Sequence, residues 1–292
     1  ASKGALELSP SIAVLPFTDM SRDQDQGYFC DGVAEAILNA LTMIDGLRVA
    51  ARMSSFRYAN LNGDMRKLGE KLGVTTILEG SVRKAGDQIR ITAQLVDVND
   101  GYHIWSQVFE RKLEDIFSIQ DEIASSIAAS LLKTIVPLQT KTTADVVAYD
   151  YYLRGKKFLN RFSKTDFEFA RQMFYQAIER DPKFSLAWAS YADCFSLEVM
   201  YAKPIPQFKD EARKASDRAL ELGPDLAEAH ASAGLARLVS EDFETAEQEF
   251  RKAIELNPRL FEAYYYFART RFHQGDMDEA AELFAKAATL NP

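Results

Sequence analysis

The order of apolar and polar positions changes character about halfway along the chain. Ser11–Phe17 (SIAVLPF) is an unbroken apolar run, the pattern of a strand buried on both faces. Val33, Ile37, Ala40, Leu41 and Ile44 then recur at helical spacing and predict a helix from Tyr28 to Ile44. LRVAAR reads as a second strand, and Asp64 is placed to cap a short helix through Leu72, with Gly73 as its left-handed end. From Thr75 the period falls to two. TTILEGSVRK, QIRITAQLVDV and YHIWSQVFERK are separated by the turn sequences Ala85-Gly86-Asp87 and Asn99-Asp100-Gly101, which predicts a three-stranded meander with Ile89, Ile91, Ala93 and Leu95 toward the core. A last helix, capped by Asp115 and ending before Pro137, carries Ile116, Ile119, Ile123, Ile127 and Leu131 on one stripe. The expected architecture is an α/β domain over residues 10–139, with a mixed sheet in the order βαβαβββα, after a tail at 1–9.

Past a polar linker at 140–147 the pattern is helical to the end, and a phrase recurs. Pro182, Pro224, Pro258 and Pro292 mark it, the last three at a spacing of 34 residues. Aligned on them stand Ala170, Phe174 and Ala177; Ala212, Ser216 and Ala219; Ala246, Phe250 and Ala253; and Ala280, Phe284 and Ala287. These segments, with Trp188 opening the second unit, resemble the tetratricopeptide repeat. The resemblance implies an all-α solenoid of helix pairs, divided 148–184, 185–226, 227–260 and 261–292. Gly155, Ala192, Gly234 and Ala268 are the small residues that let paired helices approach. The first unit needs 15 residues from Gly155 to Ala170 where the third needs 12, and the second spans 42 between prolines rather than 34. The second excess falls on MYAKPIPQFKD, where Pro204 and Pro206 are expected to lengthen the turn between helices.

Composition then excludes classes. With 35 Lys and Arg against 43 Asp and Glu, the net charge is −8, spread over both halves, and no nucleic-acid clamp is expected. No apolar run approaches the ~18 residues that cross a bilayer, so no membrane insertion is expected. Cys30 and Cys194 provide neither a disulfide framework nor a metal knuckle. The Ala-Ser start without Met reads as a fragment of a longer chain, cut at a repeat boundary at Pro292.

The first half also carries a family resemblance. SIAVLPFTDMS, YFCDGVAEAILNAL, RVAARMSSFRY, the meander LGVTTILEGSVRKAGDQIRITAQLVDVNDGYHIWSQVFER and DIFSIQDEIA resemble the TolB-like amino-terminal domain, most specifically from Leu78 to Arg90. That family includes forms joined to tetratricopeptide repeats in bacterial proteins with a class III nucleotide cyclase, a CadC-type winged-helix regulator or a kinase at the front. The resemblance implies an accessory or sensory module, on the outer (periplasmic) side where the protein is membrane-anchored and cytoplasmic otherwise.

Candidate chemistry is thin. There is no GxGxxG, no GxxxxGK[ST], and nothing like a nucleophile elbow around Ser54 and Ser55, so no catalytic residue and no cofactor is assigned. His103 reads as a sheet residue beside Trp105, and His230 holds the place of a repeat's opening Trp, where it should pack or hydrogen-bond. Asp19, Asp23, Asp25 and Asp31 follow the first strand, where open α/β sheets bind ligands. Their spacing fits no EF-hand, so a solvated loop is preferred over a metal site, with a small-ligand loop as the alternative. Arg154, Lys156, Lys157, Arg161 and Lys164 form a basic patch that reads as a solvated face or as a seat for an acidic peptide. Repeat geometry turns Tyr152, Lys156, Leu235, Leu238, Glu262, Tyr265, Arg269 and Phe272, with His273, toward the concave groove, a surface suited to a helical or extended peptide. The Lys and Asn arrangement that clamps a chaperone's terminal carboxylate is not reproduced. The expected function is a non-catalytic, regulatory interaction module holding a partner peptide or subunit. The alternatives are the regulatory half of a nucleotide cyclase or transcriptional regulator, with a small-ligand site in the α/β domain, and a homo-oligomeric scaffold.

Overall fold

The computed structural model describes residues 10–44, 46–58, 65–132, 143, 145–202 and 205–290. Asp64, Pro137, Pro204 and Pro292 lie outside them. Two compact units, Ala1–Thr140 and Lys141–Leu290, follow one another.

In the first unit, β1 (Ser11–Val14) pairs in parallel with β3 (Arg48–Val49) and with β4 (Thr76–Ala85). The expected strand to Phe17 stops at Val14. Pro16 has no N–H for the ladder, so the chain steps out and rejoins β4 as β2 (Thr18–Asp19). Phe17 fills the step against Gly80, where a Cβ would stand 2.8 Å from its ring. β4, β5 (Gln88–Asp97) and β6 (His103–Lys112) form the antiparallel meander, giving the order β3-β1-β4-β5-β6. Ile89, Ile91, Ala93 and Leu95 are all buried.

Helix α1 (Gly27–Thr42) and helix α4 (Ile116–Leu132) pack together on one face of the sheet. Ile116, Ile119, Ile123 and Ile127 are fully buried, and Leu131 is half-buried. Asp115 lies in a 3-10 turn, Leu113–Asp115, that leads into α4. The segment after β3 is a helix, α2 (Arg52–Tyr58), held by an ion pair from Arg52 to Glu35 at 2.8 Å and by the Arg52 guanidinium over Phe56. Helix α3 (Met65–Leu72) ends at Gly73, whose φ of +63° is the left-handed stop its sequence announces.

The second unit is four antiparallel helix pairs: α5 (Val146–Leu159) with α6 (Lys164–Arg180), α7 (Ser185–Tyr201) with α8 (Pro206–Leu222), α9 (Ala227–Val239) with α10 (Phe243–Leu256), and α11 (Phe261–Gln274) with α12 (Met277–Leu290). Asp145 caps α5 by accepting from Val147 and Ala148, so the first helix begins at Val146, inside the stretch expected as linker. The seams are set by small residues against large ones. A Cβ on Gly155 would meet the Phe174 ring at 2.5 Å, and one on Gly234 the Phe250 ring at 2.6 Å.

The insertions are helix, not turn. Helices α7 and α8 each have 17 residues, against 13 and 14 in α9 and α10. Pro206 does not break a helix; it opens α8, at a position where no intrahelical N–H is lost. The extra turn of α7 consists of Glu198, Val199, Met200 and Tyr201, and it builds much of the site below.

Candidate functional site

In repeat register, the residue after each small residue forms one row along the first helices: Lys156, Asp193, Leu235 and Arg269. Only Asp193 was missed by sequence reasoning, although its place one residue after Ala192 marks it.

The middle of the expected groove is filled. Leu235 and Leu238 are buried, at 2% and 4% exposure, in the core that includes Phe250 and Tyr266, and do not line an open channel. Tyr152 also belongs to the packing, with its ring 5.8 Å from Phe174 and 5.1 Å from Phe184. The extra turn of α7 packs against the same core through Val199 and Met200. It carries Tyr201 across to α11, where Arg269 donates to the Tyr201 hydroxyl at 2.7 Å and lies over its ring. Tyr265 joins them. Burial, and then a hydrogen bond to Tyr265, push the Tyr201 phenol up to about 12, while hydrogen bonds from Tyr201 and Arg269 lower Tyr265. Tyr265 also packs edge-on against Phe284.

What remains open is a rim. Phe162, Tyr201 and Phe272 are 56%, 46% and 55% exposed, and the Phe162 and Tyr201 rings meet at 5.8 Å. His273 is exposed and stacks on Phe243 at 5.9 Å. Glu262 is exposed on the first turn of α11, and Lys156 is half-buried on α5. Of the basic patch, Arg154 pairs with Asp150 and Arg161 lies over Phe158.

The extra turn is anchored by a buried ion pair between Glu198 and Arg171 of α6, whose guanidinium sits 5.2 Å from the Phe195 ring centre and 5.0 Å from that of Phe208. In the second unit, Ser216 replaces the seam Phe, and Arg237 reaches its hydroxyl at 3.3 Å and pairs with Asp217.

Two groups make the array sensitive to protons. His230 presents Nε2 to the Pro224 carbonyl at 2.8 Å and Nδ1 to Glu249 at 2.7 Å, and both are acceptors, so the imidazolium fits the site best. The hydrogen bond to Glu249 raises its pKa, against the opposing effect of burial. The first contact belongs to the repeat. Trp188 Nε1 donates to the Pro182 carbonyl and the Tyr264 hydroxyl to that of Pro258. Asp193 Oδ1 is buried without a hydrogen-bond partner, and burial pushes its carboxyl up to about 7 despite the Ser232 hydroxyl and the Lys156 charge.

Both shifts have the same sign. A raised histidine pKa gives stability that is full below the unfolded value near 6.5 and is lost as pH rises through the folded value. A raised carboxyl pKa gives a penalty that is absent below the unfolded value near 3.8 and grows until about 7. The melting temperature is therefore expected to fall between pH 5 and pH 7.5. Asp193→Asn is expected to raise it at pH 7.5 and flatten the profile, as read by circular dichroism; an Asn variant that melts lower at pH 7.5 would contradict this.

The four carboxylates of the acidic loop stand in different surroundings. Asp19 accepts from the backbone N–H of Ser21 at 2.9 Å and of Gln26 at 2.7 Å, and these bonds lower its pKa although burial acts in the other direction. Asp23 and Asp25 are exposed, Asp31 is half-buried, and among the described residues no group of three ligating side chains could hold a metal. A shallow hollow of about 330 Å³ lies elsewhere on the sheet, beside Thr18, Glu79, Ser81, Thr92 and Gln94. His103 is exposed on β6. No described helix is long and apolar enough to cross a membrane.

Comparison with known proteins gives each unit a likeness. Residues 8–126 match the family described as HilA/YgeH-like transcriptional regulator, second domain, and residues 207–258 and 232–292 match the tetratricopeptide repeat. The first unit is thus similar to a HilA/YgeH-like regulator domain and the second to tetratricopeptide repeats. The expected TolB-like identity of the first domain is not well supported by these comparisons. TolB from Acinetobacter baumannii aligns at 15% identity and a TM-score of 0.34 over 44% of this chain and 30% of its own, too distant to support it. A thermophilic tetratricopeptide protein of Thermus thermophilus aligns at 16% identity and a TM-score of 0.43, over 61% of this chain and 87% of its own. The protein called "Putative adenylate cyclase 3" in Rhizobium meliloti (strain 1021) is 41% identical over 190 residues, covering 63% of this chain and 32% of that protein. The chain thus spans about a third of that relative's length.

Proposed function

We propose that this chain is a regulatory interaction module whose repeat array holds a partner protein on the rim formed by the ends of α5, α7 and α11. Tetratricopeptide repeats are protein-binding scaffolds, and the regulator domain beside them fits a signalling role. The observation that carries the reading is the exposure of Phe162 and Tyr201, whose rings meet, and of Phe272 one turn beyond Arg269, large rings with arginine beside them, the composition of binding hot spots. Their exposure contributes little to the core, so Phe162→Ala with Phe272→Ala is expected to leave the melting temperature within a few degrees and to abolish retention of the partner on immobilised full chain. Undiminished retention of the same protein would sink the proposal.

A second reading is favoured by the Rhizobium likeness: the stretch regulates a nucleotide cyclase. It fails if deleting the matching stretch from that relative leaves both its cyclase rate and its regulation unchanged.

A further inference from the structure

Arginines of the repeat unit are, as a rule, answered by carboxylates. Arg154 pairs with Asp150, Arg180 with Asp145, Arg218 with Glu221, and Arg251 and Arg271 both with Glu247 and Glu279. Arg269 is an exception. It is half-buried on the concave row, and its contacts are with two phenols, Tyr201 and Tyr265. Phenol hydroxyls orient a guanidinium but leave its charge uncompensated. The acid nearest in sequence on its own helix, Glu262, stands two turns away. A fixed, planar, oriented cation held by aromatic side chains is a carboxylate receptor with its remaining N–H groups free to pair.

Its surroundings define the rest of the ligand. Phe272 lies one turn beyond Arg269 and is 55% exposed, and on the other side Tyr201 leads to Phe162 at 5.8 Å. A second arginine, Arg161, stands beside Phe162 and is more than half exposed, with Asp166 only at 3.8 Å. Two arginines and three rings share the rim: Arg161, Phe162, Tyr201, Arg269 and Phe272. The extra turn of α7 closes the row, because Tyr201 meets both the Phe162 ring and the Arg269 guanidinium.

We propose that the rim takes an acidic peptide segment of the partner, with a carboxylate on Arg269 between apolar side chains seated on Phe162 and Phe272. This deepens the reading of the rim as a binding surface and rests on it. A phage-displayed library of random 12-residue peptides, selected on the immobilised full chain, tests it. Clones rich in Asp or Glu next to Leu, Phe or Trp are expected, with at least a tenfold loss of affinity on Arg269→Ala and enrichment of Lys or Arg clones on Arg269→Glu. Basic or uncharged clones on the wild type, or acidic clones indifferent to Arg269→Glu, would overturn the acidic assignment and leave the binding surface standing. No enrichment over an unrelated protein would overturn both. Self-association of the chain that Arg269→Glu abolishes, without selected peptides, would put a second copy on the rim and likewise overturn the acidic peptide.

Discussion

Phe250→Ala is expected to destabilise the repeat array by about 3–5 kcal/mol, the cost of emptying a fully buried aromatic site. The ring has no exposure, stacks on Phe267 at 6.2 Å, and is faced by Gly234, which has no side chain to move into the space. A seam built of glycine against phenylalanine cannot collapse, so the upper part of that range applies. In a linear array, stability is the sum of each unit and its neighbours' interfaces, so the loss should appear first as lowered cooperativity of the third unit. Urea unfolding followed by far-ultraviolet circular dichroism measures it. A loss under about 1 kcal/mol would show that the seam is not the main hold between these helices.

Glu198→Ala is expected to cost about 3–5 kcal/mol as well, for a different reason. It strands the Arg171 guanidinium, only 16% exposed, among Phe195 and Phe208 without its counter-charge. Replacing both partners with apolar residues, Arg171→Met with Glu198→Leu, removes the stranded charge and should recover most of the loss. The contrast between single and double variants is the test, because a purely geometric role for Glu198 would leave the double variant as unstable as the single one. The same single variant should weaken partner retention, since the pair fixes the turn that ends in Tyr201.

Much of the fold is legible in the sequence because it is local. The two hairpin turns, the isoleucine stripe of α4 and the four proline-phased quartets each announce themselves within a few residues. What escapes depends on residues far apart. Helix α2 has too short a stripe to show a period and rests on Arg52 reaching Glu35. The break of the first strand follows from Pro16, whose missing N–H could have been weighed. Part of the surface expected as groove lies in the core. Repeat register puts Leu235 and Leu238 on the inner face of α9, but that face is packed into the core with Phe250 and Tyr266, and the residues inserted in the second repeat lengthen α7 and α8. Tyr265, Arg269 and Phe272 remain in the proposed site because they sit at the end of α11 that the longer α7 reaches.

Partners are expected on this rim and not on the sheet or the outer helices. Amide hydrogen exchange of the full chain, with and without a retained partner, tests this directly. Protection is expected at the turn after α5, the last turn of α7 around Tyr201, and the stretch of α11 from Tyr265 to Gln274. Protection confined to β4–β6, or to the second helices α6, α8, α10 and α12, would contradict this placement.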